Sequence, residues 1–130
     1  MRLNSIGYGV DYVDSLAKKI GDVRNKMKLG RKLSYNEKVF IKMHAQDLYE
    51  KAMKIEEERN EFRRALANCK TKEEAKRTQI AKSTELQMET ESNGDLEFIT
   101  TRMMRMMSIL SEFSDFEKSK EYKGLSNECG

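Results

Sequence analysis

The sequence predicts an all-α fold, a helical bundle built on a long antiparallel helical hairpin and containing about four helices. Three observations support this prediction: the chain has no proline, charged residues make up 36% of it, and apolar residues recur at heptad spacing from residue 41 to residue 69. Segments of this kind form helices with one apolar stripe and a solvated outer face. Because 130 residues are the usual size of one domain, we expect a single helical domain at 11–123, a flexible lead at 1–10 and a disordered tail at 124–130.

The first helix is predicted to begin at Asp11, whose carboxylate can accept a hydrogen bond from a free amide of the first turn. Gly7 and Gly9 make the preceding segment too rich in glycine to hold a helix. Gly30 is expected to follow the last turn, where a positive φ is common. The apolar stripe of this helix consists of Val13, Leu16, Ile20, Val23 and Met27.

A longer helix is predicted from Ser34 to Cys69, beginning at a capping box formed by Ser34 and Glu37. A break near His44 is the alternative to one continuous helix. Arg59 interrupts the apolar stripe, and it either sets the register as a buried polar residue or extends to the edge of the helix pair. We expect the edge position. The rest of the stripe consists of Ile41, Ala45, Leu48, Ala52, Ile55, Phe62, Leu66 and Cys69.

Two further helices are predicted at about 72–91 and 96–121. A second capping box at Thr71 and Glu74 follows the long helix at once, so the third helix should turn back antiparallel to it. The fourth helix has the broadest apolar surface, and we expect Phe62 and Leu66 to pack against it. Its main seam is Leu96, Ile99, Met103, Met106, Leu110 and Phe113, and the residues that widen the seam are Phe98, Met104, Met107, Ile109 and Phe116.

The residues that could support chemistry do not form a recognisable site. His44 is the only histidine, so it has no second histidine with which to bind a metal. The acidic run at 56–58 with Glu61 resembles a solvated helix face, because a di-iron bundle would need Glu-x-x-His motifs that this sequence lacks. Cys69 and Cys129 are expected to be free thiols, although a disulfide between them stays possible. We therefore predict that the protein is not an enzyme, with no cofactor and no metal.

Charge is distributed unevenly along the chain. Residues 1–33 hold eight Lys or Arg against three Asp, whereas residues 83–130 hold five against ten Asp or Glu. The basic region at 18–42 supports an alternative function, accessory nucleic-acid binding, in which salt-sensitive phosphate contacts would dominate. The predicted phosphate contacts are Lys18, Lys19, Arg24, Lys26, Lys28, Arg31 and Lys32.

The preferred hypothesis is a non-enzymatic helical protein–protein interaction module, such as an adaptor, chaperone-like or assembly protein, in a bacterial or phage setting. Methionine-rich faces either fill a core or form an adaptable groove for a partner. Two long apolar seams favour a protein partner or a homodimer. Apolar runs of at most three residues indicate a cytoplasmic protein that does not enter a membrane. The candidate partner-binding residues are Met103, Met106, Met107, Leu110 and Phe113.

Overall fold

The computed structural model describes residues 2–89 and 95–127, with side chains from residue 12 onward within those ranges. It confirms the all-α class. Six helices, rather than about four, pack against one another, and the described ranges contain no strand. The helices are α1 (Arg2–Lys28), α2 (Tyr35–His44), α3 (Gln46–Ala67), α4 (Lys72–Met88), α5 (Leu96–Glu117) and α6 (Lys120–Lys123).

The long helices α3 and α5 lie side by side and run in the same direction. Near their N-termini, Lys51 of α3 forms an ion pair with Glu97 of α5, and farther along Arg59 of α3 forms one with Glu112 of α5. α4 packs beside α5, α2 packs on α3, and the C-terminal part of α1 packs on α5. The α3–α5 pair is therefore the centre of the bundle.

The predicted long helix is divided into α2 and α3 at Ala45, close to His44, where the sequence allowed a break. Ala45 has φ −150° and ψ 70°, which is outside the helical region. Its amide donates to the carbonyl of Ile41 and its carbonyl accepts from the amide of Tyr49, so both helix ends keep a backbone hydrogen bond. The break allows α2 to fold back on α3, and Ile41 and Leu48 are buried in the same apolar cluster.

α1 begins at Arg2, well before the predicted start at Asp11. The prediction that residues 2–10 stay outside a helix is therefore wrong. A glycine inside a helix costs about 1 kcal/mol relative to alanine, so Gly7 and Gly9 weaken this segment without preventing helix formation. At about 1.5 Å per residue, the 27 residues of α1 span about 40 Å.

The segment after α5 is folded as far as residue 127, which corrects the prediction of a disordered tail beginning at Gly124. Leu125 packs against the core, and the carbonyl of Ser126 accepts a hydrogen bond of 2.8 Å from the amide of Lys72. These contacts were not predicted because they join residues far apart in the sequence. Cys129 lies outside the described residues, so the predicted state of Cys129 stays a prediction.

The core consists of two apolar clusters, and α3 and α5 contribute to both. The α1-side cluster contains the buried residues Val23, Met27, Ile41, Leu48, Ala52 and Met104. The α4-side cluster contains Phe62, Leu66, Cys69, Ala75, Leu86, Ile109 and Phe116. The predicted packing of Phe62 and Leu66 against the fourth helix is confirmed, since both are buried with Ile109 and Phe116 of α5.

Candidate interaction surface

Arg59 lies inside the bundle, so the predicted position at the edge of the helix pair is wrong. Arg59 and Glu112 are each only 5% exposed. The Nε of Arg59 donates to Oε1 of Glu112 at 2.7 Å, and Nη1 donates to the carbonyl of Gly30 at 2.7 Å. Nη2 donates to the hydroxyl of Ser111 at 3.3 Å. A buried charge is stable only when it is paired and hydrogen-bonded in this way.

The Arg59–Glu112 pair determines which side of α5 faces the bundle. In the sequence, Arg59 lies between the residues that α3 contributes to the α1-side cluster and those that it contributes to the α4-side cluster, whereas Glu112 lies between Ile109 and Phe116 of the α4-side cluster. Because residues four apart share a helix face, turning Glu112 toward Arg59 also turns Ser108 and Met104 inward. All four residues are buried. The opposite side of α5 is thereby directed outward.

Gly30 brings the corner between α1 and α2 against the backbone of α5. Its φ of 72° lies in the left-handed region, as predicted for a residue that follows a helix. A Cβ placed on Gly30 would lie 2.3 Å from the carbonyl oxygen of Met107. Only glycine fits this approach, which also places the Gly30 carbonyl beside Arg59.

A second ionic group joins α3, α4 and α5 around Arg105. Its guanidinium donates two hydrogen bonds of 2.9 Å to Glu58, and a further hydrogen bond of 2.7 Å to Glu89. Lys82 lies 3.0 Å from Glu58. Burial would raise the pKa of Glu58, but the hydrogen bonds from Arg105 and Lys82 outweigh burial and lower it. The hydrogen bond from Arg105 likewise lowers the pKa of Glu89.

The outward side of α5 is apolar. We define the outer face of α5 as Leu96, Ile99, Met103 and Leu110, which are between 43% and 74% exposed. Their spacing of three, four and seven residues places them along one side of the helix. Exposed apolar side chains aligned in this way on one side of a helix indicate a contact surface.

The predicted partner-binding residues of α5 divide between this face and the interior. Met103 and Leu110 are exposed, and Met107 is half-buried. Met106 and Phe113 are also half-buried, because they pack against the α4-side cluster. The structure therefore places Met103 and Leu110 on the surface and gives Met106 and Phe113 a share in the core.

The apolar stripe of α1 is covered at one end of the helix only. Val23 and Met27 are buried in the α1-side cluster, and Ile20 packs partly against it. Exposure then rises toward the N-terminus, from 5% at Met27 to 62% at Val13. The ion pair between Arg24 and Glu97, at 4.0 Å, places residue 24 of α1 beside the start of α5. Among the large apolar side chains that the structure describes, burial in α1 is thus lowest at Tyr12 and Val13.

The seven predicted phosphate-binding residues do not form one basic surface. Lys26 donates to Glu37 at 2.7 Å, whereas Arg24 and Lys32 each lie 4.0 Å from a carboxylate. Lys19 lies 5.8 Å from the centre of the Phe40 ring. Helical spacing places Lys19 and Lys26 of α1 on one side of the helix and directs Lys18 and Lys28 away from that side. Those with exposed side chains are Lys18, Lys19, Arg31 and Lys32, while Arg24, Lys26 and Lys28 are half-buried.

Two concave sites lie beside the ionic groups of α3 and α5, and neither brings together side chains that form a recognised catalytic constellation. A cavity of about 40 Å³ borders Arg59 and the buried hydroxyl of Ser108. A groove of about 450 Å³ between α3 and α5 is lined by both acidic and basic side chains, including Glu58 and Arg105. Among the described residues, no group of three or more His, Cys, Asp or Glu is arranged to hold a metal ion.

Comparisons with known proteins identify no relative of this chain. No protein-family model matches the sequence, and neither the curated proteins nor the solved structures include a similar protein. Within the described ranges, every helix is too short or too polar to cross a lipid bilayer. The geometry of the chain is therefore the only guide to its function.

Proposed function

We propose that this protein is a non-enzymatic helical interaction module that binds a partner through the outer face of α5. The supporting observation is the apolar strip from Leu96 to Leu110, which stays exposed although α5 is the central helix of the bundle. Leaving apolar side chains in water forgoes about 25 cal/mol for each Å² that a partner could bury. A partner helix lying along the strip would recover this free energy.

The strip has the geometry of a helix-binding surface. Its residues follow the spacing with which one helix packs its side chains between those of another. Met103 has an unbranched side chain that adapts to different partner surfaces. Beneath the strip, the Arg59–Glu112 pair holds α5 in one orientation. A partner would therefore meet a preformed surface and would not have to order it.

Photo-crosslinking in the organism that makes the protein tests this proposal. We would place a benzophenone amino acid at Met103 and, as a control, at Lys76, which is exposed on α4. We expect a discrete crosslinked product from position 103 and none from position 76. The additional change Ile99→Lys should remove the product, since a lysine opposes apolar contact at the same strip. Absence of any specific product from positions 99, 103 and 110 would overturn the proposal.

Nucleic-acid binding is a weaker candidate, because carboxylates lie within 4.0 Å of three of its seven predicted contact residues. Sedimentation with a generic DNA duplex at two salt concentrations separates the two functions. The interaction module predicts no co-sedimentation. Binding that falls steeply as salt rises would instead support phosphate contacts by the basic region.

A further inference from the structure

We propose that the cavity between the α1–α2 corner, α3 and α5 binds a short-chain monocarboxylate. Its carboxylate would be held by Ser108 and Arg59, and its aliphatic chain would lie against the apolar wall of the cavity. The cavity is the one of about 40 Å³ that borders Arg59. This inference goes beyond the proposed function, because Ser108 lies on the inward side of α5 and not on its outer face.

The cavity runs from the surface of the bundle into its interior. At one end Arg31 and Lys32 are exposed, whereas Met27, Ala52 and Ser108 are each at most 5% exposed. All five residues line the cavity. A water molecule needs about 10–15 Å³ of such a volume. The cavity therefore has room for the carboxyl group of a small acid, with the rest of a short chain directed toward the opening.

The first polar group of the cavity is the hydroxyl of Ser108. Within the part of the chain that the structure describes, the Oγ of Ser108 is buried and has no hydrogen-bond partner. Such a group is rare in folded proteins, because burial removes its hydrogen bonds to water and nothing replaces them. The hydrogen of a serine hydroxyl can rotate, so Ser108 can donate to an acceptor in the cavity.

The second polar group is the guanidinium of Arg59. It has five N–H groups, and three of them donate to Glu112, Gly30 and Ser111. The Nη1 atom that donates to the carbonyl of Gly30 carries a second hydrogen. Because Gly30 and Arg59 both line the cavity, this end of the guanidinium lies at its wall. A carboxylate could accept from Ser108 and from Arg59 together, and hydrogen bonds between charged groups are the stronger ones.

The rest of the lining favours an anion that has an aliphatic part. Glu56 is the one acidic residue that lines the cavity. The basic residues of the lining are Arg31, Lys32, Lys38 and Arg59. The apolar residues of the lining are Met27, Leu33, Ala52, Met53 and Ile55. Phosphate is strongly hydrated on every side and would lose water against this apolar wall without compensation. A monocarboxylate has one charged end and one apolar end, and it matches both parts of the lining.

Nuclear magnetic resonance of the ¹⁵N-labelled full chain tests the proposal, with sodium propionate as the probe and sodium chloride at equal concentration as the reference. We expect saturable shifts of the amide signals of Gly30, Ala52 and Ser108. Ser108→Ala removes only an unpaired hydroxyl, so this variant should keep its helical circular dichroism and should bind propionate about tenfold more weakly. Ser114→Ala is the matched control, since Ser114 is exposed on α5; it should bind like the parent.

Two further probes separate the parts of the ligand. 1-Propanol keeps the aliphatic chain without the charge, and phosphate keeps a charge without the chain. We expect each to bind at least about tenfold more weakly than propionate. Three results would overturn the inference: shifts with propionate that do not saturate, a Ser108→Ala variant that binds propionate as tightly as the parent, or binding of 1-propanol or phosphate that equals that of propionate.

Discussion

α3 and α5 are equal in length and both carry apolar residues at heptad spacing, yet they use this pattern in opposite ways. The stripe of α3 faces the interior, where Leu48, Ala52, Phe62 and Leu66 are buried. The main seam of α5, in contrast, includes the outer face of α5, which is exposed to solvent. The residues that α5 buries are Met104, Ser108, Ile109, Glu112 and Phe116, a set that includes two polar side chains.

The buried ion pair explains this difference. Arg59 is the one charged residue in the stripe of α3, and it turns toward α5 with the rest of that stripe. A carboxylate must face it, because an unpaired buried charge would cost several kcal/mol. Glu112 meets that need only if α5 turns Glu112 inward and Leu110 outward. Apolar periodicity thus shows that a helix has a packing face, while one polar contact can decide which face is used.

The largest expected effect is on the interior stripe of α3. Phe62→Ala should lower the free energy of unfolding by about 3–5 kcal/mol, because it leaves a cavity in the α4-side cluster. Chemical denaturation followed by circular dichroism measures this loss. A decrease below about 1 kcal/mol would mean that Phe62 contributes little to the core.

Removing one partner of the buried ion pair should have an effect of about 3 kcal/mol. Glu112→Ala leaves Arg59 in the interior without its main carboxylate, and the free energy of unfolding should fall accordingly. The double variant Arg59→Met, Glu112→Leu removes both charges and should recover most of the loss. If the double variant is no more stable than Glu112→Ala, the cost comes from lost packing and not from an unpaired charge.

A smaller, pH-dependent effect is expected at the ionic group around Arg105. The fold lowers the pKa of Glu58 and Glu89 below the ordinary value of 4.5. Their stabilisation is therefore complete above about pH 4.5 and is lost as the pH falls through the lowered values. Glu58→Gln should remove about 1–2 kcal/mol at pH 7 and flatten the decline of stability in acid.

Denaturation of the parent and of Glu58→Gln at a series of pH values between 7 and about 3 measures this effect, since carboxylates titrate in this range. Glu61→Gln is the control, because Glu61 is exposed on the same helix. If the stability of all three proteins depends equally on pH, Glu58 is not a source of the loss of stability in acid.

The smallest effect is expected on the outer face of α5. Met103→Ala should change the free energy of unfolding of the monomer by no more than about 0.5 kcal/mol, since the side chain is half exposed. Measurement at a series of protein concentrations separates this effect from any loss of self-association. A cost near that of Phe62→Ala would show that Met103 belongs to the core.

The sequence by itself determined the helical class, the N-terminal caps of α2 and α4 and the interior stripe of α3. Ser34 and Thr71 each accept a hydrogen bond from the amide three residues later, as the capping patterns predicted. Such contacts join near neighbours, so a short stretch of sequence contains all the information they require. The apolar stripe of α3 could likewise be predicted from the sequence, because helical spacing alone places its residues on one face.

Only the tertiary structure decided the orientation of α5, the burial of Arg59 and the break at Ala45. The apolar residues of α5 cover well over a third of its circumference, so periodicity allowed more than one packing face. The choice of packing face depends on the contact between Arg59 and Glu112, which lie 53 positions apart in the sequence. Ala45 has a side chain that suits a helix, and the chain leaves the helical conformation there as Ile41 and Leu48 are buried in the same apolar cluster. Such contacts stabilise the fold through pairs of residues that are distant in the sequence. A local sequence pattern therefore carries no information about them.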